Sequence, residues 1–571
     1  MLRMDHISHD SFLYKKHLKI CFFKRVAVTV CYRSFTFQRG SGNGIFFLIF
    51  YRHLYPADMM VKTFGSAVYG VEAITISVEV NVMPGKYYYI VGLPDNAVKE
   101  SIQRVESVIK TNGYYMPRTK LVVNLAPADI KKSGSAFDLA IAMGTLGATE
   151  QLSNPERLTD YVIMGELNLD GTILPIKGAL PIAITARKEG YKGLILPKQN
   201  SREAGMVNNL KVYGVSHISE VIKFFENESF LTPIDVNTRD EFLFAQCDFD
   251  VDFSDVKGQK NIKRALEIAA AGGHNAILIG PPGAGKTMLA KRLPTILPPL
   301  SLQEALETTK IHSVAGKLPE NATLVSKRPF RSPHHTISDV ALVGGGGIPQ
   351  PGEISLAHNG VLFLDELPEF KRTVLEVMRQ PMEERRVSIS RAKVALDFPT
   401  SFMLIASMNP CPCGFYNHPE KECSCPPGGV QKYLNKVSGP LLDRIDLHVE
   451  VTPVAFSELS SQENGEDSSA IRGRVISARE IQAARYKENR GIYCNAQMNS
   501  KMLKEICIIT TVSQNLLKSA MNKLNLSARA YDRILKVSRT IADLAQSTEI
   551  RPEHIAEAIQ YRSLDREGWA G

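Results

Sequence analysis

Residues 280–287, with the sequence GPPGAGKT, match the pattern G-x-x-x-x-G-K-[ST] at every position. Glycines in such a loop let backbone N–H groups close around phosphate oxygens, and the helix that follows adds partial positive charge. The lysine reaches the β- and γ-phosphates, and the hydroxyl ligates Mg²⁺. The sequence therefore predicts a site for ATP and Mg²⁺, formed by Gly280, Pro281, Pro282, Gly283, Ala284, Gly285, Lys286 and Thr287.

An acidic pair and an asparagine follow two later apolar runs. Asp365 and Glu366 come after VLFL, which predicts a buried strand that carries Asp365 to the Mg²⁺ and Glu366 to the attacking water. Asn409 follows the run FMLIA and two further residues, where its amide would contact the γ-phosphate or orient water. The alternative for Asn409 is that Asn-Pro only starts a turn. Together these residues predict ATP hydrolysis.

Strands and helices of the right kind flank these residues. Residues 274–280 read as a buried strand that enters the glycine loop, and Met288–Arg292 as the helix that leaves it. A further helix is expected over Val256–Gly272, before the strand. This alternation predicts an α/β nucleotide-binding core over residues 253–456.

The rest of the chain divides into segments of different character. A chain of 571 residues is too long for one hydrophobic core. Residues 59–225 alternate strand-like and helical runs and predict a second α/β domain, and 226–252 read as a linker. Residues 457–469 are polar and predict a loop, and 470–571 predict a domain made only of helices.

The first 58 residues differ from the remainder in composition. They hold nine Lys/Arg and three Asp/Glu, which accounts for +6 of the net charge of +9. We expect residues 1–58 to be a non-native or poorly ordered extension. The main body is close to neutral, so its overall charge gives little support for a nucleic-acid partner. No apolar run is long enough to span a bilayer, and we expect a cytoplasmic protein with no membrane partner.

Four of the nine cysteines cluster at Cys411, Cys413, Cys423 and Cys425. Four thiolates can form a tetrahedral Zn²⁺ site, and the prolines and glycines around them fit a metal-binding knuckle. The C-x-C spacing is tighter than the common C-x2-C. A reduced, metal-free loop is therefore the alternative.

Long strings around the nucleotide motifs carry a family resemblance. They include FRSPHHTISDVALVGGGGIPQPGEISLAHNGVLFLDELPEF at 330–370, MRQPMEERRVSISRA at 378–392 and SGPLLDRIDLHVEV at 438–451. They resemble the magnesium-chelatase-like branch of the AAA+ ATPases, and specifically the ComM/YifB competence-protein family. The resemblance covers residues 60–571 and implies an AAA+ P-loop NTPase core with a C-terminal helical lid.

This resemblance implies roles for two arginines. Arg444, in LLDRID, matches the arginine finger that such rings insert into a neighbouring subunit's ATP site. Arg529, in LSARAYDRIL, matches the sensor-two arginine of the lid. A finger that acts in trans implies a homo-oligomeric ring, expected to be a hexamer. The alternatives are a surface ion pair of Arg444 with Asp443 or Asp446, and an ordinary helix-surface position for Arg529.

Two more segments are interpreted through the same resemblance. Residues 339–356 correspond to a helix-two insert, and 386–399 to a β-hairpin; in related helicases both face a central pore. Arg386, Arg391 and Lys393 are the candidate phosphate contacts of such a hairpin, with a solvated basic hairpin as the alternative. Adjacent His334 and His335 are expected to be structural rather than a metal pair.

The N-terminal domain resembles the Lon protease domain, which has the ribosomal protein S5 domain 2-like fold. Residues 171–200 are similar to the Lon segment with the catalytic lysine, and 130–142 to the one with the serine. Ala136 stands at the serine position and Leu180 at the lysine position, so the Ser–Lys dyad is absent. Ser135 and Lys177 lie close by in sequence. We expect a scaffold or binding module rather than a protease.

Two functions remain open at this point. The resemblance favours an ATP-dependent DNA motor that drives branch migration or unwinds recombination intermediates, with single-stranded or branched DNA as its partner. The alternative is a protein-remodelling ATPase similar to the chelatase motor subunit or to a chaperone. A nucleotide-gated scaffold without hydrolysis is disfavoured because Lys286, Asp365, Glu366 and Arg444 are all present.

Overall fold

The structure is a computed structural model. It describes the backbone of residues 21–23, 26–28, 31–39 and 42–50, and residues 59–562 apart from 237–241, 243–248, 320–323, 347–348, 392–393, 419, 455–464 and 490. In the first part the strands pair as two antiparallel hairpins, β1 (Cys21–Phe23) with β2 (Val26–Val28) and β3 (Cys31–Arg39) with β4 (Gly42–Phe50).

The N-terminal domain is built on a mixed sheet of seven strands. Its order is β13-β12-β9-β5-β6-β8-β7. The alternating pattern of β6 buries Ile76, Val78 and Val80 on one face, as a half-buried strand requires. The strands are β5 (Met59–Tyr69), β6 (Glu72–Met83), β7 (Tyr88–Val91), β8 (Lys120–Ala126), β9 (Tyr161–Ile163), β12 (Gly193–Pro197) and β13 (Lys211–Val215), while β10 (Glu166–Leu167) and β11 (Ile173–Leu174) form a separate small hairpin.

Five helices accompany this sheet. The first begins at a true cap, since the Asp95 carboxylate accepts a hydrogen bond from the Val98 N–H at 2.9 Å. The second is apolar throughout and is buried at every position. They are α1 (Asn96–Thr111), α2 (Asp138–Ala148), α3 (Ala179–Lys188), α4 (Ser201–Gly205) and α5 (Ile218–Glu226).

The central domain contains a five-stranded sheet in which every pairing is parallel, with the order β15-β18-β21-β14-β22. Parallel strands covered on both faces become continuous apolar runs, as in VLFL and MLIASM. Their carboxyl ends share one edge, so residues from distant parts of the sequence meet there. The strands are β14 (Ala276–Ile279), β15 (Phe330–Arg331), β18 (Val361–Leu364), β21 (Met403–Met408) and β22 (Leu447–Glu450).

Short helices and two hairpins surround this sheet. The hairpins are β16 (Gly344–Gly345) with β17 (Gln350–Pro351), and β19 (Arg386–Arg391) with β20 (Val394–Pro399). The helices are α6 (Lys260–Gly272), α7 (Lys286–Ile296), α8 (Leu302–Ala315), α9 (Asp339–Val343), α10 (Glu353–Leu356), α11 (Arg372–Val377), α12 (Arg379–Glu384), α13 (Gly429–Leu434) and α14 (Gly439–Leu442).

The C-terminal domain is helical, and a buried polar contact joins it to the central domain. His274 Nδ1 lies 3.2 Å from Asp446 and its Nε2 lies 2.8 Å from the Thr540 hydroxyl. Burial alone would raise the pKa of Asp446, but Arg533 at 3.1 Å and His274 hold it well below its usual range. The helices are α15 (Ser468–Tyr486), α16 (Ser500–Ile506), α17 (Thr511–Leu524), α18 (Ala528–Leu544) and α19 (Pro552–Gln560).

The N-terminal domain packs against the central domain through α3 and α8. The Gly178 N–H donates to the Ser313 carbonyl at 3.2 Å. Leu180 belongs to an apolar cluster that continues into Leu300 and Ala305 of the central domain. The two α/β domains therefore share part of their core.

Some expected element boundaries differ from those in the structure; the helix expected over Met288–Arg292, for example, extends over Lys286–Ile296. The helix expected over Val256–Gly272 begins only at Lys260, because Gly258 and Gln259 take left-handed backbone angles that a helix cannot continue through. Part of the segment expected as a linker is packed, since the Ile234 N–H donates to the Val212 carbonyl at 2.8 Å and Phe242 is buried.

A search of the described helices for one that is long and apolar enough to cross a bilayer finds none.

Candidate active site

The loop predicted to bind phosphate, residues 280–285, joins β14 to α7 and is called the phosphate loop below. Gly283 and Gly285 have φ angles of +80° and +82°, which glycine adopts without steric cost. Gly280 lies against the end of β22, where a Cβ would come within 2.3 Å of the Val451 carbonyl oxygen. The loop therefore needs these glycines for its shape, and it ends at the first turn of α7, where N–H groups and the helix dipole favour an anion.

Lys286 folds back over this loop. Its ammonium donates to the carbonyls of Gly280 at 2.7 Å and Pro281 at 2.9 Å, and to Asn409 Oδ1 at 3.1 Å. Burial lowers the pKa of Lys286, although Asp365 and Glu366 oppose that shift. An anion placed in the loop would give this cation a stronger partner than carbonyl dipoles.

Asp365 lies at the centre of the oxygen atoms in the site. Its Oδ2 accepts a hydrogen bond from the Thr287 hydroxyl at 2.7 Å, and its Oδ1 accepts one from Ser407. Carboxylate and hydroxyl oxygens are the hard ligands that Mg²⁺ prefers. Thr287 and Asp365 therefore fit the predicted magnesium site.

Ser407 was not predicted from the sequence. It is fully buried at the end of β21, directly beside β18, so the pairing of these two strands brings it to Asp365. A hydroxyl that follows the apolar run MLIA was the available signal.

Glu366 projects from a strained position at the end of β18. It has a φ of +55°, its side chain is 59% exposed, and its N–H donates to Asp365 Oδ1 at 3.1 Å. Its Oε2 lies 3.4 Å from His335 Nδ1. The carboxylate thus faces open space beside the phosphate loop, where a water molecule could reach it.

His335 is the second residue whose position the sequence did not predict. It follows β15, the neighbour of β18 in the sheet, and its ring packs on His334 with a centroid distance of 4.1 Å. The histidine pair was expected to be structural. In the structure one of the two rings, that of His335, also contacts Glu366, the residue predicted to act on the attacking water.

Arg444 and Arg529 both have partners within their own chain. Arg444 is 7% exposed, and its Nη2 lies 2.5 Å from Glu383 at the end of α12. Arg529 is exposed in the first turn of α18 and lies 3.2 Å from Asp443. Neither arginine has a described contact with the phosphate loop of its own chain.

Of the three basic residues predicted to contact DNA from the hairpin β19–β20, the structure describes the side chain of one. Arg386 is exposed, and its guanidinium lies 3.5 Å from Glu384 and 4.0 Å from Asp397. The side chain of Arg391 and all of Lys393 lie outside the described residues. One face of the hairpin is buried through Val387, Ile389, Leu396 and Phe398.

The hairpin over the predicted helix-two insert contacts this second hairpin. A Cβ on Gly344 would meet Ile389 at 2.9 Å. Two segments that were interpreted together through the family resemblance therefore touch each other in the fold.

The four clustered cysteines converge after β21. Their sulfur atoms all lie within 4.8 Å of one another, and the Cys411–Cys413, Cys413–Cys423 and Cys411–Cys423 pairs are 3.2, 3.5 and 3.7 Å apart. Such spacing suits one tetrahedral metal ion.

Ala136 and Leu180, which the resemblance to Lon places at the dyad positions, lie in apolar surroundings. Leu180 is fully buried, and Ala136 packs against the same apolar cluster. Lys177 is exposed, and its side chain runs over Gly316 of the central domain, where a Cβ would lie 2.9 Å from Lys177 Cε.

Three segments of the chain match family profiles that together extend over most of its length. Residues 252–459 match "Magnesium chelatase, subunit ChlI", residues 78–200 match "Subunit ChlI of Mg-chelatase", and residues 465–562 match "Magnesium chelatase, subunit ChlI C-terminal". These boundaries follow the N-terminal, central and helical domains.

Two relatives are similar to this chain over almost their entire length, and a third over about a quarter of its own. Competence protein ComM of Haemophilus influenzae is 43% identical over 500 residues, which are 87% of this chain and 96% of the relative. Uncharacterized protein YifB of Escherichia coli is 43% identical over 511 residues, with shares of 88% and 96%. Lon protease 2 of Bacillus subtilis is 32% identical over 154 residues, which are 24% of this chain and 26% of the protease.

Proposed function

The chain belongs to the ComM/YifB family of magnesium-chelatase-like proteins, and we propose that it is an AAA+ ATPase that works as a DNA motor on recombination intermediates. The observation that carries this proposal is the meeting of Lys286, Thr287, Asp365 and Asn409 at one sheet edge, with Glu366 beside them. Each of these residues supplies a group that phosphoryl transfer to water requires.

The proposed chemistry divides among these residues. Lys286 would leave the loop carbonyls to bind the β- and γ-phosphates. Thr287 and Asp365 would hold Mg²⁺, which would supply positive charge that neutralises the phosphates. Glu366 would orient a water molecule and accept its proton as the water oxygen bonds to the γ-phosphorus, while the bond from that phosphorus to the β–γ bridging oxygen breaks and ADP leaves. Asn409, released from Lys286, orients the γ-phosphate or the same water molecule.

A ring assembly would complete the site. Arg444, acting as an arginine finger, would have to leave Glu383 and neutralise charge on the γ-phosphate of a neighbouring subunit. The helical domain would serve as the lid, with Arg529 as its sensor. In this proposal the ring is a hexamer, and the N-terminal S5-like domain is a scaffold or binding module.

Mixing two inactive variants tests the action in trans. A ring of Lys286→Ala subunits lacks competent loops, and a ring of Arg444→Ala subunits lacks fingers. Mixed rings contain some interfaces with both groups intact, so ATP hydrolysis should reappear on mixing. Two variants that stay inactive together, while each still assembles, would contradict a finger supplied by Arg444.

DNA is the proposed substrate because of the family and the hairpin. One relative is named a competence protein, and the family resemblance implies a role in DNA uptake or recombination. Branch migration is an activity that an ATP-driven ring can perform. The hairpin β19–β20 would contact DNA phosphates through Arg386, Arg391 and Lys393.

A protein substrate is the second candidate, and two observations favour it. The chain outside residues 1–58 carries a net charge of only +3, from a total of +9 less +6. Arg386 also already lies near Glu384 and Asp397, so its charge is partly neutralised. Both observations are what a ring that remodels proteins would show.

The ATPase rate of the full chain distinguishes the two candidates. We expect single-stranded DNA or a four-way junction to raise the rate several-fold, with no activity above background in Lys286→Ala. The matched control is Lys291→Ala, which removes an exposed lysine from the same helix and should behave as wild type. A normal basal rate that no DNA changes would reject DNA as the activating substrate and favour a protein partner.

A further inference from the structure

The loop between β21 and α13 is held together by few backbone interactions. Its described residues from Cys411 to Pro427 form no helix and no strand. Cys411 is fully buried and could be explained as a small apolar side chain, but Cys413, Cys423 and Cys425 are all partly exposed. Ordinary packing therefore does not explain why four sulfur atoms point to one spot.

The sulfur geometry fits a single tetrahedral metal ion rather than a disulfide or a multi-iron cluster. Zn–S bonds of about 2.3 Å at tetrahedral angles put the sulfur atoms about 3.8 Å apart. The sulfur–sulfur distances among Cys411, Cys413 and Cys423 are 3.2, 3.5 and 3.7 Å, whereas a disulfide requires about 2.05 Å. An iron–sulfur cluster binds its thiolates through different iron atoms, which spreads them further apart than the 4.8 Å seen here.

The same loop lies directly against the nucleotide site. Gly414 has a φ of +84°, and a Cβ built on it would come within 2.5 Å of Pro282 Cδ in the phosphate loop. Asn409, two residues before Cys411, accepts a hydrogen bond from Lys286. Inside the loop, the Tyr416 N–H donates to Cys411 Sγ at 3.3 Å. The cysteine cluster thus fixes a segment that touches both the phosphate loop and its lysine.

We propose that Cys411, Cys413, Cys423 and Cys425 bind one Zn²⁺ ion, and that this ion holds Gly414 against Pro282 and Asn409 against Lys286, so that its loss weakens nucleotide binding. The second half of this proposal rests on the proposed ATPase function, while the first half does not. Metal ligation in a loop without regular structure supplies the free energy that orders it.

Metal content tests the site. The full chain, purified without added metal, should contain about one zinc per chain by inductively coupled plasma mass spectrometry. Cys423→Ser and Cys425→Ser should each lose most of it, while Ser424→Ala, between them, should retain it. A wild-type chain that contains no zinc after reconstitution with ZnCl₂, or that contains iron instead, would overturn the proposed site.

A pair of glycine variants tests the contact with the phosphate loop. Gly414→Ala adds a methyl group that must displace Pro282, whereas Gly428→Ala is made in the same loop at a similar φ of +73° with no atom within 4 Å. Both variants leave all four thiolates in place and should keep their zinc. We expect the dissociation constant for a fluorescent ATP analogue to rise about tenfold in Gly414→Ala and to change less than twofold in Gly428→Ala.

The outcomes separate the two proposals. Equal dissociation constants for the two glycine variants, with zinc present in both, would overturn the coupling between the metal and the nucleotide site. Lys286→Ala should keep its zinc without hydrolysing ATP. A wild-type chain that binds zinc but does not hydrolyse ATP would contradict the proposed function and leave the zinc site intact.

Discussion

Two regions of this chain resemble enzyme active sites, and they differ in what occupies the decisive positions. In the central domain the polar residues Lys286, Asp365 and Asn409 are buried or half-buried. Lys286 donates a hydrogen bond to Asn409, and Asp365 accepts one from Thr287. In the N-terminal domain the positions aligned with a Ser–Lys dyad are Ala136 and Leu180. Burying a polar side chain costs free energy unless it has hydrogen-bond partners. Where no chemistry requires the polar group, an apolar residue of similar shape can take its place with little loss of stability.

The apolar positions also have a structural role of their own. Leu180 belongs to the cluster that reaches Leu300 and Ala305, so it takes part in joining the two domains. A lysine there would put a charged ammonium group into that apolar cluster, at the cost of desolvating it. In this part of the N-terminal domain the side chains therefore serve packing between domains, whereas the nucleotide site presents polar groups.

Replacing Glu366 is expected to give the largest effect. Glu366→Gln keeps the shape of the side chain but removes the group that accepts a proton, so kcat for ATP should fall by about 10²–10⁴-fold. Nucleotide binding, measured with a fluorescent analogue, should be retained. Glu369→Gln is the matched control, because Glu369 is also exposed and pairs only with Lys436 in the described structure. Similar rates for the two variants would remove Glu366 from the mechanism.

Replacing Leu180 tests the other side of the comparison. Leu180→Ala should lower the free energy of unfolding by about 2–5 kcal/mol, because it leaves a cavity in a fully buried cluster. Leu169→Ala removes the same atoms from a residue that is 59% exposed and should cost less than about 0.5 kcal/mol. Urea unfolding of both variants gives the comparison, and equal stabilities would show that Leu180 is not structural.

Replacing His335 should give a smaller effect within the ATP site. Its contact with Glu366 is partly exposed, so the interaction energy is below about 1 kcal/mol, or roughly fivefold in rate. We expect His335→Ala to raise the basal ATPase rate two- to fivefold by freeing the Glu366 carboxylate. His334→Ala removes the adjacent ring, which bonds to Thr336 instead, and should leave the rate unchanged. A lower rate in His335→Ala would mean that His335 positions Glu366 for catalysis.

Most of the fold could be predicted from local sequence patterns. Apolar periodicity in the sequence predicts a strand over Ala73–Val82 and helices over Asn96–Asn112, Ala179–Lys188, Val512–Leu524 and Ala528–Ala545. The corresponding elements β6, α1, α3, α17 and α18 begin and end within one residue of these bounds. These segments have clear apolar periodicity and definite end signals. The start of α6 was wrong because Gln259 takes a left-handed conformation that its residue type does not indicate.

The site could be predicted only where its residues belong to continuous motifs. The glycine loop, the acidic pair and Asn409 each follow an apolar strand, and their positions at one sheet edge were expected. Ser407 and His335 were missed because their contacts depend on which strands are neighbours, and β21 and β15 flank β18 on its two sides. The ion-pair partner of Arg444 could not be predicted either. It is Glu383, which lies on a different helix, and not Asp443 or Asp446, which are close in sequence.

The most direct test of the central claim uses a synthetic four-way DNA junction with a fluorescent strand. The wild-type chain with ATP and Mg²⁺ should convert the junction into duplex products at a rate that far exceeds spontaneous migration. Glu366→Gln with ATP, and wild type with a non-hydrolysable analogue, should give no such conversion. If the wild-type chain hydrolyses ATP but leaves the junction intact, or if Glu366→Gln converts it equally well, the account of this protein as an ATP-driven DNA motor is contradicted.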